Sequence, residues 1–207
     1  MRSARSFQSQ CPHAGRRFPS LLEPDASVQG CEWYAKTGRE LGRGKEGVTY
    51  QVCCGTPSET NMRCNYVVKH QTNAKRRSTF ETKVAREIEL QSSYAELGLS
   101  VPVVDGWVCQ HDAYIVMPKL DLTLKEYVWS LIPTASNTEE LKRVIRMYLD
   151  RVKEMRQVAH QHRLVHTDMS VQNMMVSLSE ATNAEHPPIY LIDFGKAKRV
   201  DSMAESD

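Results

Sequence analysis

The stretch LVHTDMSVQNMMV occupies 164–176, and PPIYLIDFGKAK follows at 187–198. Their reading decides the fold. In the first, Asp168 stands five residues ahead of Asn173. That spacing suits two jobs on one loop. A carboxylate can orient an attacking hydroxyl and accept its proton. An amide oxygen is a hard ligand for magnesium. His166 reads as a structural histidine that braces the loop backbone. In the second stretch, the apolar run 189–192 forms a strand that delivers Asp193, and Gly195 lets the backbone turn sharply behind it. A carboxylate so placed can hold a Mg²⁺ that bridges β- and γ-phosphates.

Upstream, TGRELGRGKEGVTYQVCC (37–54) carries Gly42, Gly44 and Gly47. Val48, Thr49, Tyr50 and Val52 follow at once, which predicts a strand. A dinucleotide fold would place a helix there, so the glycines read instead as a flexible hairpin that covers phosphates with backbone N–H groups. A turn-rich connection at 54–65 leads to a short strand, NYVVKH (65–70), which presents Lys69. A lysine meant for the α- and β-phosphates needs an acidic partner on the following helix. AREIEL (85–90) offers Glu87 and Glu89, and the helical register does not choose between them.

Ser78 with Glu81 forms a capping box that opens this helix. Phe80, Val84, Ile88, Tyr94 and Leu97 give it an apolar stripe. Residues 101–120 read as two strands around a turn at Gln110-His111-Asp112. A short helix is expected from Thr123 to Leu131. Asn137 with Glu140 then opens a long helix whose buried face is Leu141, Val144, Ile145, Tyr148, Val152, Met155 and Ala159. Strands, helix, strands, helices and short strands in that order predict an α+β protein of two lobes sharing a cleft.

Composition narrows the function classes. The formal net charge is +2, too balanced for a nucleic-acid binder that works by bulk charge. Hydrophobic residues at 41% and charged residues at 25% exclude a mostly disordered chain. No apolar run approaches the roughly 18 residues of a membrane span. The six cysteines form no CxxC pair and no zinc-finger spacing, so they are expected to be reduced thiols. Residues 1–32 are polar and rich in Ser, Arg and Gln. They are expected to be a disordered segment that can double as a bacterial export signal.

From Trp33 to Lys198 the chain resembles the protein-kinase superfamily. Gly42, Gly44, Gly47 and Val48 match its glycine-rich loop, and Lys69 its third-strand lysine. Glu87 in REIEL matches the helix glutamate. HTD with Asn173 matches the catalytic loop, and Asp193-Phe194-Gly195 the metal-binding motif. YIVMPKL (114–120) is similar to the segment linking the lobes, with Met117 at the adenine pocket and Leu120 along the hinge. The resemblance implies Asp168 as catalytic residue with Lys69 and Glu87. It implies Asn173 and Asp193 as ligands of Mg²⁺ or Mn²⁺, ATP as cosubstrate, and a protein hydroxyl as acceptor. It divides the chain into a small lobe over 33–117 and a large lobe over 118–207.

The departures carry as much. Thr167 replaces the arginine before the catalytic aspartate, so no activation-loop phosphorylation switch is expected. Ser170 replaces the lysine two residues after it, leaving Lys196 or Lys198 to neutralise the γ-phosphate. There is no Ala-Pro-Glu segment before Asp207, so a minimal kinase-like fold with a truncated large lobe is expected, which counts against a small-molecule substrate. This stripped-down pattern resembles kinases that bacterial pathogens inject into host cytoplasm, above all the HopBF family. That likeness implies a monomer acting on the host heat shock protein 90 chaperone, with no nucleic acid and no membrane among its partners. A sister group instead engages ubiquitin-charged conjugating enzymes. A pseudokinase-like binding module and an antibiotic phosphotransferase are the competing classes.

Overall fold

The computed structural model describes residues 16–18, 33–44, 47–55, 63–72, 77–109, 112–133, 137–180 and 186–200. The chain divides into two compact units. One comprises Met1–Ser92 with Pro102–Lys119, the other Ser93–Val101 with Leu120–Asp207. Ser93–Val101 thus groups with the second unit, which the linear division at 117/118 leaves in the first.

Among the described residues the first unit is an antiparallel sheet with one helix, whose end from Ser93 on groups with the second unit. Its strands are β1 (Arg16–Phe18), β2 (Trp33–Gly44), β3 (Gly47–Gly55), β4 (Arg63–Thr72), β5 (Asp105–Cys109) and β6 (Asp112–Pro118), in the order β1-β5-β6-β4-β3-β2. Helix α1 spans Arg77–Glu96. The period-2 alternation of β6 explains how the sheet is covered. Tyr114 and Val116 join Val52, Tyr66 and Val68 on one face. Ala113 and Ile115 point to the other, where Phe80, Val84 and Ile88 of α1 close the core with Val103 and Val108.

Three expectations need correction here. Arg16–Phe18 is not disordered: it pairs with β5, with Arg17 opposite Trp107. The rest of residues 1–32 lies outside the described residues. Helix α1 opens at Arg77, so Ser78 falls inside it rather than at its cap. Cys53 and Cys64 are not reduced thiols but a disulfide. The β3–β4 register shifts between Val52 and Cys54, and that irregularity puts the two cysteines side by side. Spacing motifs in the sequence carry no strand register, so this pairing was illegible there.

Among the described residues the second unit holds α2 (Leu124–Leu131), α3 (Thr138–Gln161) and five short strands. These are β7 (Leu122–Thr123), β8 (Leu164–Val165), β9 (Met174–Val176), β10 (Ile189–Leu191) and β11 (Lys198–Arg199). They form a three-stranded sheet, β10-β9-β7, and a two-stranded ribbon, β11-β8. Thr123 caps α2, and Glu126 completes a capping box. Asn137 caps α3, its side chain accepting from the Glu140 N–H at 2.8 Å. Val144, Tyr148, Met155 and Ala159 are the buried face of α3. Ile145, expected among them, is 37% exposed, because one helical step turns it about 100° from Val144. No described helix is long and apolar enough to cross a membrane.

Candidate active site

Seven of the expected site residues belong to the first unit: Gly42, Gly44, Gly47, Val48, Lys69, Glu87 and Met117. Leu120, Asp168, Asn173 and Asp193 belong to the second.

The glycines lie on the β2–β3 hairpin, with Gly42 opposite Thr49 and Gly44 opposite Gly47. A strand follows them, as the absence of a dinucleotide fold requires. Only one of the three is dictated by the protein's own packing. Gly47 has φ +159°, and a Cβ there would run into the His70 carbonyl. At Gly42 and Gly44 a Cβ would meet nothing within 4 Å. Their missing side chains therefore leave open space over the hairpin rather than fitting a neighbour. Val48 is half-buried on β3, opposite His70.

Strand β4 runs on past Lys69 to Thr72. Lys69 pairs across to Ile115, whose side chain belongs to the face under α1, so Lys69 looks towards the same helix. There its Nζ donates to Glu87 Oε1 at 2.6 Å. Gln71, two residues along the same strand face, donates from Nε2 to Glu87 Oε2 at 2.7 Å. Glu87 is 2% exposed with both oxygens engaged, while Glu89 is exposed. The choice that the helical register left open is settled by this contact. Gln71 was missed, although its period-2 relation to Lys69 would have found it. Met117 packs against the cluster under α1, and its Sδ accepts from Gln91 Nε2 at 3.6 Å.

In the second unit, Leu120 is buried. The loop between β8 and β9 is organised around His166. Its Nε2–H donates to the Ile192 carbonyl at 3.1 Å, and its Nδ1 accepts the Asp168 N–H at 3.4 Å. One neutral tautomer satisfies both bonds. Burial lowers the His166 pKa from 6.5, which keeps the ring neutral against the opposing pull of the Ile192 hydrogen bond and of Asp193 and Asp168. The expected brace is thus what the ring does. It lies edge-on to Tyr94 and Phe194, with centroids 6.1 and 5.0 Å away.

Asn173 donates from Nδ2 to the Asp168 carbonyl at 3.0 Å. That bond fixes the amide orientation and leaves Oδ1 turned the other way, where it could face a cation. Asp193 has φ +65°, a left-handed backbone that asparagine and aspartate tolerate better than most residues. Phe194 behind it is 1% exposed and Asp193 itself is exposed. Asp168 is 44% exposed at its side chain, with Lys196 Nζ 3.5 Å from its Oδ2. Thr167 donates from Oγ1 to the Lys196 carbonyl at 3.0 Å. Thr167 and Lys196 lie on separate segments, and nothing in their spacing signals this contact.

Among the described residues no group of three His, Cys, Asp or Glu gathers as a metal cage. Asn173 and Asp193 could supply two oxygen donors of the hard type that magnesium takes, a number that would fit an ion completed by phosphate oxygens and water. The sequence pattern of the protein kinase domain matches residues 35–206. Calcium-dependent protein kinase 32 of Arabidopsis thaliana is 26% identical over 181 residues. The match covers 87% of this chain and 31% of that protein, so the chain spans about a third of its relative's length. A glycine hairpin, a buried lysine–glutamate pair, an Asp-Asn loop and an Asp-Phe-Gly turn, joined by a match over most of the length, give one answer: the chain belongs to the protein kinase family.

Proposed function

We propose that the chain transfers the γ-phosphoryl group of ATP to a serine or threonine hydroxyl of a protein. The observation that carries this reading is the Lys69–Glu87 pair, at 2.6 Å with Glu87 2% exposed. A buried ion pair between a strand and a helix gains little stability. It makes chemical sense as a fixed ammonium for the α- and β-phosphates. Glu87 holds the ammonium donor in place, and Gln71 in turn fixes Glu87. Asp168 orients the acceptor hydroxyl and takes its proton as the new P–O bond forms and the bond to ADP breaks. Asn173 and Asp193 would hold a divalent cation, which would supply positive charge against the phosphates. Positioning and electrostatics supply most of the rate.

The finer reading is a kinase secreted by a bacterium into host cytoplasm, acting on heat shock protein 90 and inhibiting it. What supports it is the likeness to the HopBF effectors drawn from the sequence, together with the polar, Ser-rich composition of residues 1–32. The second reading is a binding module of kinase shape, favoured by Thr167 and Ser170 at two positions where the family carries a charge.

One experiment tests these together. Eukaryotic cytosolic extract is incubated with γ-phosphate-labelled ATP and magnesium, with wild type beside Asp168→Ala and Asp193→Ala. A labelled band near the chaperone's mass that both variants lose supports the kinase and its target. Other dependent bands keep the kinase and discard the chaperone. Absence of any dependent label, on extract or on the protein itself, refutes the kinase reading in favour of the binding module.

A further inference from the structure

The kinase pattern is broken at two nearby positions, Thr167 and Ser170, and the structure joins the first of them to a third residue. Thr167 Oγ1 donates to the Lys196 carbonyl at 3.0 Å, and the Lys196 ammonium stands 3.5 Å from Asp168 Oδ2. Backbone anchor and side-chain contact both tie the segment after Gly195 to the loop that carries Asp168.

We infer that Lys196 supplies the positive charge for the phosphoryl group in flight, and that Thr167 is the positioning residue that sets Lys196 beside Asp168. This inference rests on the transfer reading and names a residue of that same site.

The chemical need is plain. As the acceptor oxygen bonds to phosphorus and the ADP oxygen leaves, negative charge spreads over the equatorial phosphoryl oxygens. A cation aimed at those oxygens stabilises the transition state more than the ground state. It must stand near the carboxylate that aligns the acceptor. The loop 164–176 contains neither Lys nor Arg. Its histidine is 6% exposed and spends both ring nitrogens on the backbone. A cation next to Asp168 therefore has to come from another segment, and Lys196 is at the required place. Its side chain is 67% exposed, and an exposed ion pair holds its members weakly. The ammonium is thus free to turn to a phosphate. Lys196 gives and takes no proton in the step; the acceptor's proton goes to Asp168.

Lys198, the other candidate, is exposed on β11, where it pairs with Val165 through the backbone. No described contact directs its ammonium to Asp168.

The test measures kcat and KM for ATP on protein labelled in extract or on the protein itself. It compares Lys196→Ala, Lys196→Ala with Ser170→Lys, Lys198→Ala, Thr167→Val and Thr167→Ser. The expected result is a loss of about 100-fold in kcat for Lys196→Ala with KM little changed, as for other single donors aimed at a transition state. Ser170→Lys restores part of that loss from a new backbone position, which a merely structural role for Lys196 does not allow. Thr167→Val lowers kcat and Thr167→Ser keeps it, since serine retains the hydroxyl. Lys198→Ala behaves as wild type. Wild-type kcat in Lys196→Ala overturns the inference. So does equal loss in the Lys196 and Lys198 variants.

A binding arm separates this inference from the reading beneath it. Magnesium ADP with aluminium fluoride, which mimics the transferring group, is titrated against magnesium ADP alone. Tighter binding of the fluoride complex, lost in Lys196→Ala, supports the placement of Lys196 even if the wild type labels nothing, an outcome that sinks only the transfer reading. Equal binding of both complexes by wild type and variant overturns the placement.

Discussion

Replacing Lys69 by methionine removes one charge of a pair whose other member stays buried. At 2.6 Å, two unit charges in an effective dielectric of about 20 attract by about 6 kcal/mol. Stripping water from an ammonium and a carboxylate costs several kcal/mol per ion, so the intact pair contributes about nothing net. The single variant loses the attraction and keeps the desolvated Glu87. Removing one partner of such a pair typically costs about 3–5 kcal/mol. The lower end applies here, because the Lys69 side chain keeps 14% exposure and Gln71 still donates to Glu87. A loss of about 3 kcal/mol lowers the urea midpoint by about 1 M or slightly more. The double variant Lys69→Met with Glu87→Met removes both charges. It should return to within about 1 kcal/mol of wild type, since apolar replacement of a buried pair is often neutral. Urea denaturation followed by circular dichroism reads the cycle, and phosphate labelling reads activity, which both variants lack. If the two substitutions cost equal amounts that simply add, Glu87 carries no buried charge that depends on Lys69, and the reasoning fails.

The hairpin glycines should separate by role. Gly47→Ala is destabilising by about 1–3 kcal/mol, because a Cβ there meets the His70 backbone, with its carbonyl carbon at 3.1 Å. Gly42→Ala and Gly44→Ala stay within about 0.5 kcal/mol of wild type in urea melts but raise KM for ATP, since their side chains enter space the protein leaves open. Asn137→Ala removes the acceptor for the Glu140 N–H and lowers stability by about 1 kcal/mol, while Asn137→Ser recovers it. Burial depresses the His166 pKa below 6.5, so the unfolded chain takes up a proton first as the pH falls. Stability is therefore full above 6.5 and declines as pH drops through that value towards the folded pKa. Melting points of wild type and His166→Gln between pH 5 and 8 check this: the variant should lose the part of the acid slope that His166 supplies. Parallel curves refute it.

The pieces that could be read from the sequence are those written in local spacing. The Asn137 cap, the α2 start beside Thr123, and the strand after the glycines all follow from a few adjacent residues. The brace at His166 is only half local: the Asp168 N–H lies two residues on, but the Ile192 carbonyl comes from a distant segment. What could not be read depends on register between distant segments. Glu87 was separated from Glu89 only when β4 and α1 were packed against each other. The Cys53–Cys64 bond follows from a one-residue irregularity in a ladder. Arg16–Phe18 became a strand because β5 offered an edge, and a sequence of such polarity gives no sign of that. Ile145 shows the limit of periodicity: the helical wheel puts it next to the buried stripe, yet it stands outside the buried face.

The backbone at Asp193 shows how the chemistry-bearing carboxylates are held. A left-handed non-glycine residue costs roughly 1–2 kcal/mol, so something must impose φ +65° there. On one side, Ile192 donates its N–H to the Asn173 carbonyl at 2.9 Å and accepts from His166. On the other, Phe194 is fully packed, 4.9 Å from Tyr94 and 5.0 Å from His166 between centroids, and its carbonyl accepts the Ala197 N–H at 3.0 Å. Burying one phenylalanine side chain contributes about 1.5–3 kcal/mol, enough to offset the strain between two pinned neighbours. The carboxylate then points outward because both flanks are fixed inward. The ring that pins Ile192 and packs on Phe194 also accepts the Asp168 N–H. Two carboxylates on separate segments are thus referred to one buried imidazole. A charged ring could not serve both bonds, since its Nδ1 would carry a proton against a donor. Neutrality at His166 is therefore a geometric requirement of the site, and burial is the means by which the fold meets it.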